Sequence, residues 1–327
     1  MNNKSSHIEN SPSGQCKLSI VVPVYNVELY IEECIRSLYV QDIPQNEYEV
    51  ICVDDCSPDD SVSIVMRLQK EYPTLQLIRH ERNKKLGGAR NTGIRAAKGK
   101  YILFVDSDDM LKSNCLKQLI DEMELGQDDF IHFNYVKLFS DGTLGDEPHF
   151  AIDAQQRTGA DLFFSKQLDW REQISACRKI YRLDFIKTNN LYFAENTMYE
   201  DNDFAMRVAA LAEKCRHSDI CPYIYRQVAT STIHDAVSAT RLQYWQATWP
   251  HMDALLDTIA KQDERFRELI NFYMRFDLWD VLNNMYKLPK NQRMAVKNNL
   301  SVSEWWKYIR FLPLKRRIEY IYKLVKA

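Results

Sequence analysis

Tyr101-Ile-Leu-Phe-Val-Asp-Ser-Asp-Asp109 is the stretch whose reading decides the fold. Five apolar or aromatic residues run directly into three carboxylates within four positions. An unbroken apolar run of this kind reads as a strand buried on both faces, as in a parallel sheet. Its carboxylates then stand at the C-terminal strand end, where open α/β sheets bind ligands. Ser107 is small enough for the backbone to turn there and aim Asp106 and Asp108 at one point. Clustered hard oxygens suit Mg²⁺ or Mn²⁺, with water and phosphate oxygens completing the shell. The competing reading makes Asp106–Asp109 the cap of a helix that begins near Leu111.

Upstream, Leu18–Val22 is a first strand ended by Pro23, with Val24-Tyr25-Asn26 as a turn. Asn26 is the expected cap of a helix striped by Ile31, Ile35 and Leu38. Val50–Val53 is a second strand ending in Asp54-Asp55. Ser57-Pro58-Asp59-Asp60 has the form of a capping box, with Pro58 at the first helical position. The helix it opens buries Ile64, Val65 and Leu68 and stops at Pro73, and Leu75–Ile78 is a third strand. Consecutive strand–helix units predict right-handed crossovers and a parallel sheet. Parallel strands bring Tyr25, Asp55 and Asp106 to one edge, a convergence that unrelated helix caps do not require.

Between the third and fourth strands lies Asn83-Lys-Lys-Leu-Gly-Gly-Ala-Arg-Asn91. Gly87 and Gly88 permit close backbone approach, the helix start favours an anion, and Lys84, Lys85 and Arg90 add positive charge. The pattern is neither GxGxxG nor a P-loop, which disfavours a nicotinamide or P-loop enzyme; the plainer alternative is a solvated basic helix face. Beyond Asp109 the periodicity predicts a helix burying Leu116, Leu119, Ile120 and Met123, a strand over Phe130–Leu138, a loop over 140–157 and mostly helix over 158–190. Met198-Tyr-Glu-Asp-Asn-Asp-Phe204 then brings a second acidic cluster to the opening of a helix. Asp203 suits the helix dipole; Glu200 and Asp201, at the very entry, are candidates for catalysis. Pro222–Arg226 reads as a final strand, followed by Ser231 and a surface His234.

The length of 327 residues predicts one large domain with an appendage, or two domains. The expected division is a disordered leader over 1–15, an α/β unit over 16–235 and a helical region over 236–327. A net charge of −2 argues against a dedicated nucleic-acid binder. No apolar stretch approaches the roughly 18 residues that span a bilayer, and Met1–Gln15 lacks the apolar core of a signal peptide. Eight cysteines without a CxxC pair are expected to be free thiols in a reducing, cytoplasmic setting. Cys52 and Cys56 bracket Asp54-Asp55, but no nearby His completes a zinc site.

Five of these segments together resemble the family 2 glycosyltransferases of GT-A fold: Ile20–Asn26, Val53–Ser57, Gly88–Gly93, Asp106–Asp109 and Tyr199-Glu200-Asp201. The resemblance covers roughly residues 17–235. It implies an α/β fold with a Rossmann-like, mostly parallel central sheet flanked by helices, and a helical C-terminal extension. It also implies an inverting transfer of a sugar from a nucleotide diphosphate donor to an acceptor hydroxyl. On that resemblance Pro23, Val24 and Tyr25 line the base pocket with Glu28 nearby, and Asp55 beside Asp54 accepts an N–H of the base, which suits uracil. Asp106, next to Ser107, contacts the ribose, and Lys85 and Arg90 belong to the donor loop. Asp108, with Asp106, holds Mn²⁺ or Mg²⁺, and Glu200-Asp201 supplies the general base. The family often has Gly where Lys85 stands, and Asp or Gly where Cys56 stands.

The expected partners are a nucleotide sugar and a glycan or lipid-linked acceptor. Two other functions are weighed: a sugar nucleotidyltransferase, which needs a Gly-rich signature absent around Pro23–Asn26, and a non-catalytic glycan- or nucleotide-sugar-binding module, which does not need Asp106, Asp108 and Asp201. Ser301–Ala327 interleaves Trp305, Trp306, Tyr308, Phe311, Tyr320 and Tyr322 with seven basic residues, against only Glu304 and Glu319. That composition predicts peripheral contact with the inner membrane surface; the alternative is that its aromatics are core.

Overall fold

The computed structural model describes residues 16–148, 155–166, 168, 173–197, 200–227 and 238–326. The leader, Tyr199, Ser231 and His234 lie outside them. The elements run β1 (Leu18–Val24), α1 (Ile31–Leu38), β2 (Tyr48–Asp54), α2 (Ser61–Leu68), β3 (Leu75–Arg79), α3 (Lys85–Ala96) and β4 (Tyr101–Phe104). Then come β5 (Met110–Leu111), α4 (Leu116–Gly126), β6 (Phe130–Leu138), α5 (Gly159–Phe163), β7 (Lys179–Arg182), α6 (Leu183–Thr188), α7 (Glu200–Leu211) and β8 (Cys215–Arg226). Five helices follow the 228–237 stretch: α8 (Ala239–Asp257), α9 (Ile259–Gln262), α10 (Glu264–Met285), α11 (Lys290–Asn298) and α12 (Val302–Ile309), with α13 (Leu314–Lys326) after them.

One eight-stranded sheet has the order β3-β2-β1-β4-β7-β6-β8-β5. β1, β2 and β4 are buried along their whole length, as apolar runs covered by helices on both faces must be. The β3-β2-β1-β4 half is parallel, so Val24 pairs with Asp54 and Val21 with Phe104. The chain winds outward from β1 in both directions, which makes the C-terminal edge there a switch point. Tyr25, Asp55 and Asp106 therefore leave the sheet on one edge, as expected. The other half is mixed: β7 runs antiparallel to both β4 and β6, and β6 is parallel to β8.

Several local expectations are corrected. No helix starts near Leu111; Met110–Leu111 pairs with β8, and α4 opens at Leu116. α1 starts at Ile31, and Asn26 instead holds a left-handed turn at φ 56°. The capping box at Ser57 does not form, because Asp59 accepts from the Ser61 amide and hydroxyl and from the Glu28 amide, and α2 starts at Ser61. The 158–190 stretch holds strand β7, and the last strand starts at Cys215 rather than Pro222.

Two apolar cores meet at α7. Phe204 and Val208 pack with the sheet. Ala205, Met206 and Ala209 pack with Trp249, Phe266, Leu278, Trp305 and Tyr320 of the C-terminal helices. Thus three tail aromatics, Trp305, Tyr308 and Tyr320, are core, while Trp306 and Tyr322 stay exposed. The described cysteines are all free thiols, and no helix among the described residues is long and apolar enough to cross a membrane.

Candidate active site

Asp106 follows β4 and turns its Oδ1 to the Arg90 Nη2 donor at 3.0 Å. Arg90 is 1% exposed. Its Nη1 donates to Glu200 Oε1 at 2.9 Å and to Asp201 Oδ1 at 2.5 Å. One guanidinium thus joins the end of the fourth strand to the first turn of α7. Burial works against so enclosed a cation, but Asp201 and Asp106 outweigh it and hold its pKa well above the ordinary value. Arg90 was expected among the donor-loop cations. It is instead enclosed by carboxylates, because α3 docks against residues 193–195 and the start of α7. Gly87 has no Cβ where the Ala194 carbonyl packs, and Asn91 exchanges hydrogen bonds with the Phe193 backbone at 2.9 and 2.8 Å. The glycine-rich stretch is therefore a clamp on the acidic pair, neither a solvated face nor a bare anion cradle.

Glu200 and Asp201 open α7. Burial first, then the charge of Asp201, pushes the Glu200 carboxyl up to about 7, with Arg90 opposing. Burial also raises the pKa of Asp201. The Asp201 side chain is 21% exposed against 6% for Glu200, so Asp201 is the carboxylate a substrate can reach. Its Oδ2 accepts from the Ala176 amide at 3.3 Å. Behind it, Lys179 on β7 is buried and donates to the carbonyls of Gln173 and Ser175; burial lowers its pKa to about 7. Neither Ala176 nor Lys179 was singled out in the sequence.

Asp108 is the counterpart on the sheet edge. Arg226 Nε bonds its carbonyl at 2.9 Å, while no described residue hydrogen-bonds its carboxylate. Burial, then the charge of Asp106, pushes it up to about 6. Arg226 only partly offsets that rise, and a carboxylate with no ion pair among the described residues fits a hard divalent cation completed by phosphate oxygens. Among the described residues no three His, Cys, Asp or Glu side chains form a self-sufficient metal cluster; Asp108 and Asp106 are the described carboxylates that would hold the ion. Ser107 is buried between them. Asp109 is tied down by the Tyr223 hydroxyl at 2.7 Å and the Arg226 amide at 2.8 Å.

Around the first two strand ends, Tyr25 is 51% exposed while Pro23 and Val24 are buried, so of the three only the Tyr25 ring is open to a ligand. Asp55 Oδ1 meets His80 Nδ1 and the Lys84 amide, both at 2.7 Å. His80 directly follows β3, on the same edge of the parallel sheet, which is the signal by which it could have been found. Asp54 accepts from the Ser57 amide at 2.8 Å and from Arg79 at 3.3 Å, and so shapes the loop. Glu28 and the 59–60 turn exchange bonds at 2.8 and 2.9 Å, locking the two loops together. Lys85, where the resembled family often has Gly, and Cys56, where it often has Asp or Gly, both sit at φ 65°. Glycine is the default there; here Lys85 Nζ reaches the Tyr244 ring at 5.2 Å and Cys56 Sγ donates to the His80 carbonyl at 3.2 Å. Side-chain contacts that glycine lacks hold both turns.

The chain matches Glycosyl transferase family 2 over residues 19–211. It is 35% identical over 215 residues to the uncharacterized glycosyltransferase EpsJ of Bacillus subtilis (strain 168), covering 64% of this chain and 61% of that protein. It is 29% identical over 297 residues to the poly(ribitol-phosphate) beta-glucosyltransferase of Bacillus spizizenii, covering 90% and 44%. Among solved structures, Staphylococcus aureus TarS 1-349 in complex with UDP-GlcNAc superposes at a TM-score of 0.68 with 26% identity, over 91% of this chain and 82% of that one. The chain spans less than two thirds of the length of the two curated relatives named, 61% and 44%. With the family match extending over more than half of its length, this chain belongs to glycosyl transferase family 2.

Proposed function

We propose that the protein is an inverting glycosyltransferase, moving a hexosyl or N-acetylhexosaminyl group from a UDP-linked donor to a hydroxyl of a glycan or lipid-linked acceptor. The observation that carries this reading is the Arg90 guanidinium, which holds Asp106 and Asp201 at 3.0 and 2.5 Å and so keeps a donor carboxylate and a base at a fixed separation. The UDP-GlcNAc held by the TarS structure supports the donor class. The polymer named for the Bacillus spizizenii relative supports acceptors of surface polysaccharide synthesis.

In this reading Tyr25 and Asp55 hold the base, and Asp106 faces the ribose. Asp108 and Asp106 would hold Mn²⁺ or Mg²⁺, which would supply positive charge against the departing diphosphate. Asp201 takes the proton of the acceptor hydroxyl as its oxygen attacks the anomeric carbon from the side opposite the leaving group, a role that contributes about 10²–10⁴-fold. Arg90 and the Ala176 amide orient Asp201 during that transfer. The catalytic unit is residues 16–235, with 236–327 as a helical layer, and the protein works in the cytoplasm. Peripheral contact with the inner membrane belongs to the same reading. It falls to Leu314, Ile318 and Tyr322, which are exposed at every fourth position of α13.

The test is to incubate the protein with UDP- and GDP-linked sugars in Mn²⁺ and to follow release of nucleoside diphosphate. Turnover of a UDP sugar that stops on chelation is the expected result. Undiminished release in chelator, or turnover of GDP sugars alone, overturns the assignment.

A further inference from the structure

A cavity of about 600 Å³ opens in the helical layer between α8, α10 and the turn joining α12 to α13. Arg275 and Asn271 reach it from α10, Arg310 and Phe311 from the turn, Arg317 from α13 and Leu256 from α8. None of the described residues lining it is acidic. The nearby carboxylate, Asp253, already carries two cations, Lys307 at 2.5 Å and Arg310 at 2.7 Å. It cannot also neutralise the other two arginines. Arg317 is held in place by its bonds to the Leu312 and Arg310 carbonyls at 2.7 and 2.5 Å, which leave its Nη1 without a partner among the described residues. Arg275 is exposed and has no ion pair among the described residues. Three guanidiniums therefore converge on one space with a single, shared counter-charge.

We propose that this cavity binds the phosphate group of an organic phosphate ester. Guanidinium forks match phosphate oxygens two at a time, and such charge-assisted bonds are the stronger class. The space is far larger than a bare ion needs and lies within the range of small-molecule sites, about 300–1,000 Å³. Its apolar wall, Leu256, Phe311 and Leu312, suits the organic part of the ester. The site shares no residue with the Asp106, Asp108, Glu200 and Asp201 constellation, so it stands whether or not the donor assignment holds. The same chemistry is offered by a soluble phosphate ester and by the headgroup of an anionic phospholipid.

The experiment compares the full chain with Arg275→Gln and Arg275→Lys. Glycerol 3-phosphate is titrated calorimetrically, and vesicles of phosphatidylglycerol or phosphatidylcholine are used for sedimentation. Arg275 bonds to no described side chain, so both variants should keep the wild-type melting temperature. The expected result is binding that Arg275→Gln weakens about tenfold and Arg275→Lys largely keeps. Binding of glycerol 3-phosphate assigns a soluble ester. Binding of phosphatidylglycerol vesicles alone, with phosphatidylcholine inert, assigns the lipid headgroup. Absence of binding to either probe, or binding that Arg275→Gln leaves unchanged, overturns the proposal.

Discussion

Asp106–Asp109 and Glu200–Asp203 look alike in sequence, each with three carboxylates in four residues. In both, the last carboxylate is structural. Tyr223 and Arg226 hold Asp109, and Arg207 holds Asp203 with bonds of 3.0 and 2.5 Å. The remaining carboxylates differ in where their counter-charge comes from. Glu200 and Asp201 share a cation built into the fold, Arg90. Asp108 has no ion pair on its carboxylate among the described residues, and burial and Asp106 push it up to about 6 against the weaker pull of Arg226. Asp106 belongs to the first cluster but bonds the same Arg90, so it joins the two. In the proposed reading Asp201, fixed by that built-in cation, is the base, and Asp108 is the carboxylate left for a cation that arrives with the substrate. The number of acidic residues does not distinguish the two clusters; the partners that the fold brings to them do.

The sharpest way to break this contrast is Asp201→Asn. It keeps the shape but removes the proton acceptor, and its one amide oxygen can accept from only one of the Arg90 and Ala176 donors. kcat should fall about 10²–10⁴-fold with donor affinity unchanged. A rise in donor KM with kcat intact would make Asp201 a binding residue. Next is Arg90→Met, which leaves three carboxylates facing one another without their cation. Losing one partner of a buried ion pair costs about 3–5 kcal/mol, and urea unfolding should report a loss of that order. A variant as stable as the wild type would mean that the clamp is not held by charge.

Glu200→Gln sharpens the comparison through pH. The Glu200 carboxyl is raised in the fold from 4.5 to about 7. Between those values the native state keeps a proton that the unfolded chain has released, so this group makes stability fall as pH rises. The wild type should therefore lose more melting temperature than Glu200→Gln between pH 5 and pH 8. The smallest effect is expected of Asp203→Asn. It removes an i,i+4 bridge worth about 0.3–0.5 kcal/mol and should leave kcat within twofold. A large kinetic effect there would mean that the second cluster is not divided as described.

Strands β1, β2 and β4 were legible because helices cover both of their faces, which forces apolar runs. The acidic strand ends were legible because parallel pairing brings them to one edge. β7 was not, since Lys179-Ile-Tyr-Arg182 looks half charged; Lys179 is buried against backbone carbonyls that no local pattern announces. The role of Arg90 was illegible for a related reason. Two of its three carboxylates lie 110 and 111 residues away, and a basic residue beside a glycine pair is read as facing phosphate until that distance is closed. The same holds for Tyr223, whose hydroxyl accepts from the Asp106 amide at 3.2 Å across 117 residues.

α7 carries the acidic pair in its first turn, and its flanks belong to two different cores. Cutting the chain before α8 would strip one of those two cores from the helix. Ala205, Met206 and Ala209 would open to water on one side of the helix whose first turn aims Asp201. The C-terminal helices act as a buttress, and a substitution in them that never comes near substrate can still misalign the reacting groups. Any attempt to trim this chain or graft its catalytic half onto another protein has to carry that buttress along or rebuild it.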